Sequence, residues 1–257
     1  MCSYKCSLAQ LAAKVGLGER EYEPPVPKPT EPDALPAWFG NAQSLVMEYE
    51  SNPGKIRLWQ GYKPVSEKLI TERRLGVGVL PSSKCKHQRL IVPIIDNGVI
   101  VGLRGRAIGC DCGKWLVAGG TKLDMLPLYN AEAIHIDRMV WIIENPVDAL
   151  LAFDIGLYAL ATYSVSYWRD AWTEYLKSVD PCMVIVAYDN DLPGNGGSVN
   201  RQKFIEKWLR DHPKFKPPES AGIKLTNRLL EAGLPAMLYD WGDKPEKYDI
   251  GRLIADG

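Results

Sequence analysis

The sequence has no run of about 18 apolar residues, so no transmembrane helix is expected. Its first residues also lack the apolar core of a secretory leader. It carries no net charge, since 31 Lys and Arg face 31 Asp and Glu. It contains no internal repeat, and no low-complexity tract apart from one proline-rich stretch. Neither a membrane-spanning helix nor a repeat array is therefore expected in this sequence. Without a leader, the six cysteines point to a reduced compartment rather than a disulfide scaffold. The expected location is the cytoplasm, with no membrane partner. A chain of 257 residues has room for one or two domains with an ample core.

The neutral total hides a regional imbalance. From Gly61 to Lys122 there are 11 Lys and Arg against 4 Asp and Glu, whereas from Leu123 onward the count is 14 against 20. A basic middle joined to an acidic C-terminal part suits an enzyme that holds a phosphate backbone beside a metal.

Two stretches organise the acidic part. Met139–Leu150, MVWIIENPVDAL, and Val184–Gly194, VIVAYDNDLPG, each begin as a β-branched, apolar run and then break into acid, Asn, Pro and Gly. Such runs suit strands buried on both faces of a parallel sheet. In an open α/β sheet the carboxyl ends of strands are where ligands bind. Glu144 stands at the first strand end, with Pro146 placed for the first turn of a helix. Asp189 and Asp191 stand at the other, on a loop closed by Pro193 and Gly194. Three converging carboxylates repel one another unless a cation lies between them, and hard oxygen donors favour Mg²⁺, with Mn²⁺ as a substitute. The predicted order is strand 139–143, helix 147–155, strand 157–162, helix 168–179 and strand 183–188. A parallel sheet with right-handed crossovers follows from it. Helices over 200–211 and 223–232, a strand over 236–240 and a terminal helix after Lys247 complete the chain.

The basic part reads as α+β. Ser66 is a plausible N-cap, and Arg73 and Arg74 complement the C-terminal end of its helix. Leu90–Ile95 and Val99–Leu103 are β-rich runs joined by Asp96-Asn97-Gly98, a hairpin signal. Cys85, His87, Cys110 and Cys112 bracket that hairpin as a C-x-H…C-x-C set. If the hairpin brings its flanks together, four ligands meet as a tetrahedral Zn²⁺ site; otherwise these are unbonded thiols in a reduced protein. Ala37–Tyr49 reads as a helix whose Trp38, Phe39, Leu45 and Val46 pack a core, with base stacking as the rival use. Before it, the six prolines of Glu21–Pro36 form an extended linker. Ser7–Leu17 reads as a short amphipathic helix behind Cys2 and Cys6.

A glutamate at one strand end followed by D-x-D at another resembles the TOPRIM domain of primases, topoisomerases and some nucleases. The form E-x-P-x-D-A-L, here Glu144 to Leu150, is closest to bacterial and phage primases, which usually have Gly at Asn145. Gly61, Ser66, Ile70, Leu75, Gly76 and Pro81 resemble the stretch that opens the primase polymerase core, with Gln60 where that family has arginine. The hairpin resembles the primase signature ending in G-R, so Arg106, with Arg104 beside it, and Lys114 in Lys114-Trp115-Leu116 match the family's phosphate-binding surface. Lys122 is the nearest candidate for a further family lysine, at a different spacing. Asp148 is implied as a helper that orients a ligand or water, and Asp249 as a weaker outer candidate. Cys2 and Cys6 resemble the tail of a primase zinc ribbon.

The resemblance covers roughly 58–256. It implies three regions: 1–36, a helix and proline-rich linker; 37–134, a basic α+β part of the primase core; and 135–257, a TOPRIM-type parallel sheet flanked by helices. It implies a primase making short RNA on single-stranded DNA from ribonucleoside triphosphates, with a replicative helicase as partner, in a prokaryotic or phage-infected cell. Glu144, Asp189 and Asp191 would hold the Mg²⁺. A metal-dependent TOPRIM nuclease and a non-catalytic nucleic-acid-binding replication subunit remain open as alternatives.

Overall fold

The Asn97-Gly98 step sets the first sheet. Both residues have positive φ, +48° and +77°, as a two-residue primed turn requires. In the computed structural model, which describes residues 36–121, 126–134, 138–191, 193–194 and 201–256, that turn joins β2 (Arg89–Asp96) to β3 (Val99–Ala107). With β1 (Gly76–Gly78) and β4 (Trp115–Val117) they form an antiparallel sheet in the order β1-β2-β3-β4. Lys122, Cys2 and Cys6, the helix over 7–17, the linker up to residue 35 and the Gly-rich 195–198 lie outside the described residues.

The run RLIVPIID reads as continuous because both faces of the sheet are covered. Leu90, Val92 and Ile94 enter the larger core, whereas Ile91 enters a smaller one with Trp38, Val46, Tyr49 and Leu103. Strand side chains alternate faces. Arg106 pairs with Leu90 and Arg104 with Val92, so both arginines stand on the larger-core side.

Helix α1 (Ala42–Glu50), preceded by a 3₁₀ turn at Phe39–Asn41, covers the smaller core. Trp38 and Val46 are buried, and Phe39 and Leu45 pack against them; core packing accounts for all four. Helix α2 (Lys55–Tyr62) follows. Pro64 forces Lys63 to extended backbone and ends α2 there. Ser66 caps α3 (Glu67–Glu72), accepting from the Leu69 N–H at 3.1 Å.

The second sheet is parallel, in the order β6-β5-β7-β8: β5 (Met139–Ile143), β6 (Tyr158–Ala161), β7 (Met183–Val186) and β8 (Ala236–Leu238). Helices α4 (Pro146–Asp154), α5 (Asp170–Val179), α6 (Arg201–Asp211), α7 (Ala221–Glu231) and α8 (Ile250–Asp256) accompany it. In this sheet and its helices the ends lie within two residues of the sequence reading, whereas β3 runs four residues past Leu103 and α1 begins five residues after Ala37. The chain leaves β5 for β6 on one side and returns to β7 on the other. The carboxyl ends of β5 and β7 therefore flank the crevice where strand order reverses, the usual ligand position in an open α/β sheet. The larger core runs without a break from Trp59 and Leu90 to Val184 and Ile250, joining the two sheets. Among the described residues, no helix is long and apolar enough to cross a membrane.

Candidate functional site

Glu144 directly follows β5, and Asp189 and Asp191 follow β7. Between the two aspartates, Asn190 is fully buried. Its Nδ2 donates to the Lys244 and Pro245 carbonyls at 2.8 and 3.0 Å, and its backbone pairs with Lys247 and Tyr248. The middle residue is thus clamped, and the acids on either side are held in place. Asp191 Oδ1 accepts from the Gly194 N–H at 2.7 Å. A Cβ at Gly194 would strike the Asp189 carbonyl at 2.5 Å and Asp191 Oδ1 at 2.8 Å, so the turn admits only glycine.

Burial pushes Glu144 up to about 7, with Asp191 adding to the rise and Arg104 and Lys114 opposing it. Burial and then the Glu144 charge hold Asp189 well above the ordinary carboxylate range. Asp191 is also raised by burial, against the opposing Gly194 hydrogen bond. Among the described residues none of the three forms an ion pair with a protein cation. Desolvated, mutually repelling oxygen donors without a counter-ion fit a hard divalent cation such as Mg²⁺ or Mn²⁺. They are not gathered as tightly as Cys85, His87, Cys110 and Cys112, whose ligand atoms all lie within 4.8 Å of one another.

Asp148 is 1% exposed. Its Oδ1 lies 2.9 Å from Lys63 Nζ, and its Oδ2 accepts from Asn145 Nδ2 at 2.9 Å. Lys63 also reaches both Asp249 oxygens, at 3.1 and 3.0 Å. These two carboxylates are therefore neutralised by a lysine, unlike the other three. Burial raises Asp148 to about 6 while Lys63 opposes the rise. Burial would lower Lys63, but the two carboxylates outweigh it and hold the ammonium above its ordinary value.

Facing the acids is the basic strand. The Arg104 guanidinium lies over the Trp115 ring at 4.8 Å and the Tyr163 ring at 5.6 Å. Burial lowers it to about 10, so it stays protonated. Arg106 lies over Tyr62 at 5.0 Å. Arg104 Nη1 and Arg106 Nε and Nη1 have no acceptor, so part of each fork is not committed to protein. Lys114 is exposed and, with Tyr62, Lys63, Arg106, Asn145 and Asp189, lines a cleft of about 360 Å³. Glu144, Asp191 and Arg104 are not among its lining residues and act on it through their charges. A larger hollow of about 510 Å³ beside Tyr49 and Val79 shares none of these residues.

Sequence reasoning missed Lys63, Tyr62, Arg89 and the structural part of Asn190. Only Asn190 left a local signal, as the fixed centre of D-x-D. Lys63 and Tyr62 act on residues distant in sequence, and Arg89 joins nearby Cys85 to Cys110 and Gly113 across the hairpin.

No family model matches the chain, and no curated protein does. Solved structures do match. A DNA primase domain from Pseudomonas aeruginosa is 16% identical with a TM-score of 0.58, over 85% of this chain and 74% of that one. The RNA polymerase domain of Mycobacterium tuberculosis primase, in complex with double-stranded DNA, is 12% identical with a TM-score of 0.59, over 84% and 74%. A primase catalytic domain bound to single-stranded DNA is 16% identical with a TM-score of 0.53, over 85% and 76%. The chain has the mixed α/β fold of a bacterial-type primase catalytic core, an antiparallel sheet joined to a parallel one.

Proposed function

We propose that this chain is a primase core that makes short RNA on single-stranded DNA by nucleotidyl transfer. The observation that carries this reading is the placement of Glu144, Asp189 and Asp191 at the β5/β7 crevice, opposite Arg104, Arg106 and Lys114. Primase folds in solved structures include one bound to single-stranded DNA, which supports a nucleic-acid partner here.

In this reading Glu144, Asp189 and Asp191 would hold Mg²⁺ or Mn²⁺, and such an ion would supply charge neutralisation of a triphosphate for in-line displacement of pyrophosphate by a 3′-hydroxyl. Arg106 offers planar N–H donors and Lys114 a mobile point charge to phosphate oxygens. Arg104, stacked behind them, keeps the local field positive as charge builds. Lys63, Asp148 and Asp249 form a neutralised support that fixes α4 and α8 at the edge of the cleft. Lys122 stays a further phosphate-binding candidate. A cytoplasmic setting in a prokaryotic or phage-infected cell, with a replicative helicase, belongs to the same proposal.

The second reading is a metal-dependent nuclease, since the same acids suit hydrolysis. The basic sheet opposite them favours synthesis, because a nuclease does not need a triphosphate cradle. A de novo assay with single-stranded DNA, Mg²⁺ or Mn²⁺ and labelled ribonucleotides separates the two. Short labelled RNA, lost in Asp189→Ala and in Glu144→Ala, is the expected result. Metal-dependent DNA degradation without synthesis would install the nuclease, and DNA binding alone would leave a non-catalytic replication subunit.

A further inference from the structure

Away from the acidic crevice, the flanks of the β2–β3 hairpin carry a second set of ligating side chains. Cys85 and His87 precede β2, and Cys110 and Cys112 follow β3. The register, with Arg89 opposite Ala107, brings the two flanks together. Cys85 Sγ lies 4.0 Å from Cys110 Sγ. His87 Nδ1 lies 3.4 Å from Cys112 Sγ and 3.7 Å from Cys85 Sγ. A tetrahedral Zn²⁺ with Zn–S near 2.3 Å and Zn–N near 2.1 Å needs S···S separations of roughly 3.8 Å and S···N separations of roughly 3.6 Å. These three spacings are close to those values, and all four ligand atoms lie within 4.8 Å of one another.

Charge makes a separate case. Arg89 is fully buried. Its Nη2 lies 3.5 Å from Cys85 Sγ and 3.8 Å from Cys110 Sγ, and its other bonds go to the Gly105, Cys112 and Gly113 carbonyls. Among the described residues it contacts no carboxylate. A guanidinium removed from water with only neutral partners is costly. Three thiolates on a divalent ion carry one net negative charge, which Arg89 cancels. Three protonated thiols would leave it uncompensated.

We infer that Cys85, His87, Cys110 and Cys112 hold one structural zinc ion, that Arg89 is its charge partner, and that the ion fixes the arm bearing Lys114. Four protein ligands close the coordination sphere, which is the pattern of a structural rather than a catalytic zinc. On binding, the thiol protons of the three cysteines pass to water as the Zn–S bonds form. His87 binds through the Nδ1 lone pair and keeps its proton on Nε2. The arm is tied in because Arg89 grips the Gly113 carbonyl and the Ala107 N–H donates to the Lys114 carbonyl at 3.0 Å. Nothing here depends on the primase reading.

The test uses the purified full chain. Elemental analysis should find one zinc per chain in the wild type and in Cys2→Ser/Cys6→Ser, and loss of it in Cys110→Ser/Cys112→Ser. Should that last variant fail to fold, cobalt exchange into the wild type still decides. Intense thiolate-to-cobalt charge transfer with tetrahedral ligand-field bands is expected. A wild type that carries no zinc and takes up cobalt without those bands overturns the site. So does zinc that stays in Cys110→Ser/Cys112→Ser but leaves with Cys2→Ser/Cys6→Ser. For the arm, removing zinc with a chelator should speed tryptic cleavage after Lys114 several-fold, and an unchanged rate overturns that part.

Discussion

Lys63 Nζ lies 2.9 Å from Asp148 Oδ1, so the end of α2 is ion-paired to the first turn of α4. The side chains are 14% and 2% exposed, which makes this a buried pair and not a surface one. Lys63→Met would strand Asp148 in the core, and removing one partner of such a pair typically costs about 3 kcal/mol. A clear fall in the urea midpoint at pH 7.5 is expected, with the m-value unchanged. Little or no fall would mean that water reaches Asp148.

Gly251 tests the same support with the opposite sign from ordinary helix chemistry. An exposed Gly→Ala change inside a helix stabilises by about 1 kcal/mol. Here a Cβ would collide with Asp148 Oδ1 and lie 2.6 Å from Lys63 Nζ. Gly251→Ala is therefore expected to destabilise, by about 1–3 kcal/mol as overpacking does. A gain in thermal midpoint would refute the packing of α8 against α4.

The strand-end acids and the hairpin were legible because each rests on local signals: a β-branched run broken by acid and proline, and a two-residue turn that needs positive φ. The Lys63 support was not legible. KIRLWQGY carries Gly61 and two aromatics, which are weak helix signals for α2. Lys63 meets Asp249 across 186 positions, a pairing that no local pattern encodes. Arg89 carries no local signature of enclosure, and only the fold shows it fully buried. Asp148, read as orienting a ligand or water, lines the cleft with its oxygens on Lys63 and Asn145.

Asn145 stood out in the sequence as a departure from glycine, and the structure gives it two tasks. Its Oδ1 accepts from the Val147 N–H at 3.1 Å, capping α4, and its Nδ2 holds Asp148. Asn145→Gly loses little as a cap, a few tenths of a kcal/mol, but it also unmakes a hydrogen bond to a buried carboxylate. The sum expected is about 1–2 kcal/mol, read from chemical denaturation.

Lys114 is the exposed cation of the cleft, and its contribution to binding should be that of a point charge on phosphate. Lys114→Ala is expected to weaken single-stranded DNA binding alike for all sequences. The log–log salt slope should become shallower by roughly 0.7, the share of one phosphate contact on a single strand. A titration series from low to high KCl measures this, and an unchanged slope would remove Lys114 from the phosphate surface.

Glu144 couples stability to pH and to metal. Its carboxyl is raised from 4.5 to about 7 by burial, with Asp191 adding to the rise. Between those values the folded chain keeps the proton that the unfolded chain has lost. Stability therefore falls as pH rises through the window and levels off above about 7. The cost at pH 8 is on the order of 2 kcal/mol once partial exposure is allowed for. A divalent cation bound by the ionised group offsets that cost, so Mg²⁺ or Mn²⁺ should raise the thermal midpoint more at pH 8 than at pH 5.5. Glu144→Gln should flatten the descent between pH 6 and 7 in EDTA and shrink the metal-induced gain. A metal effect of equal size at both pH values, or one undiminished in Glu144→Gln, would place the cation elsewhere in the molecule.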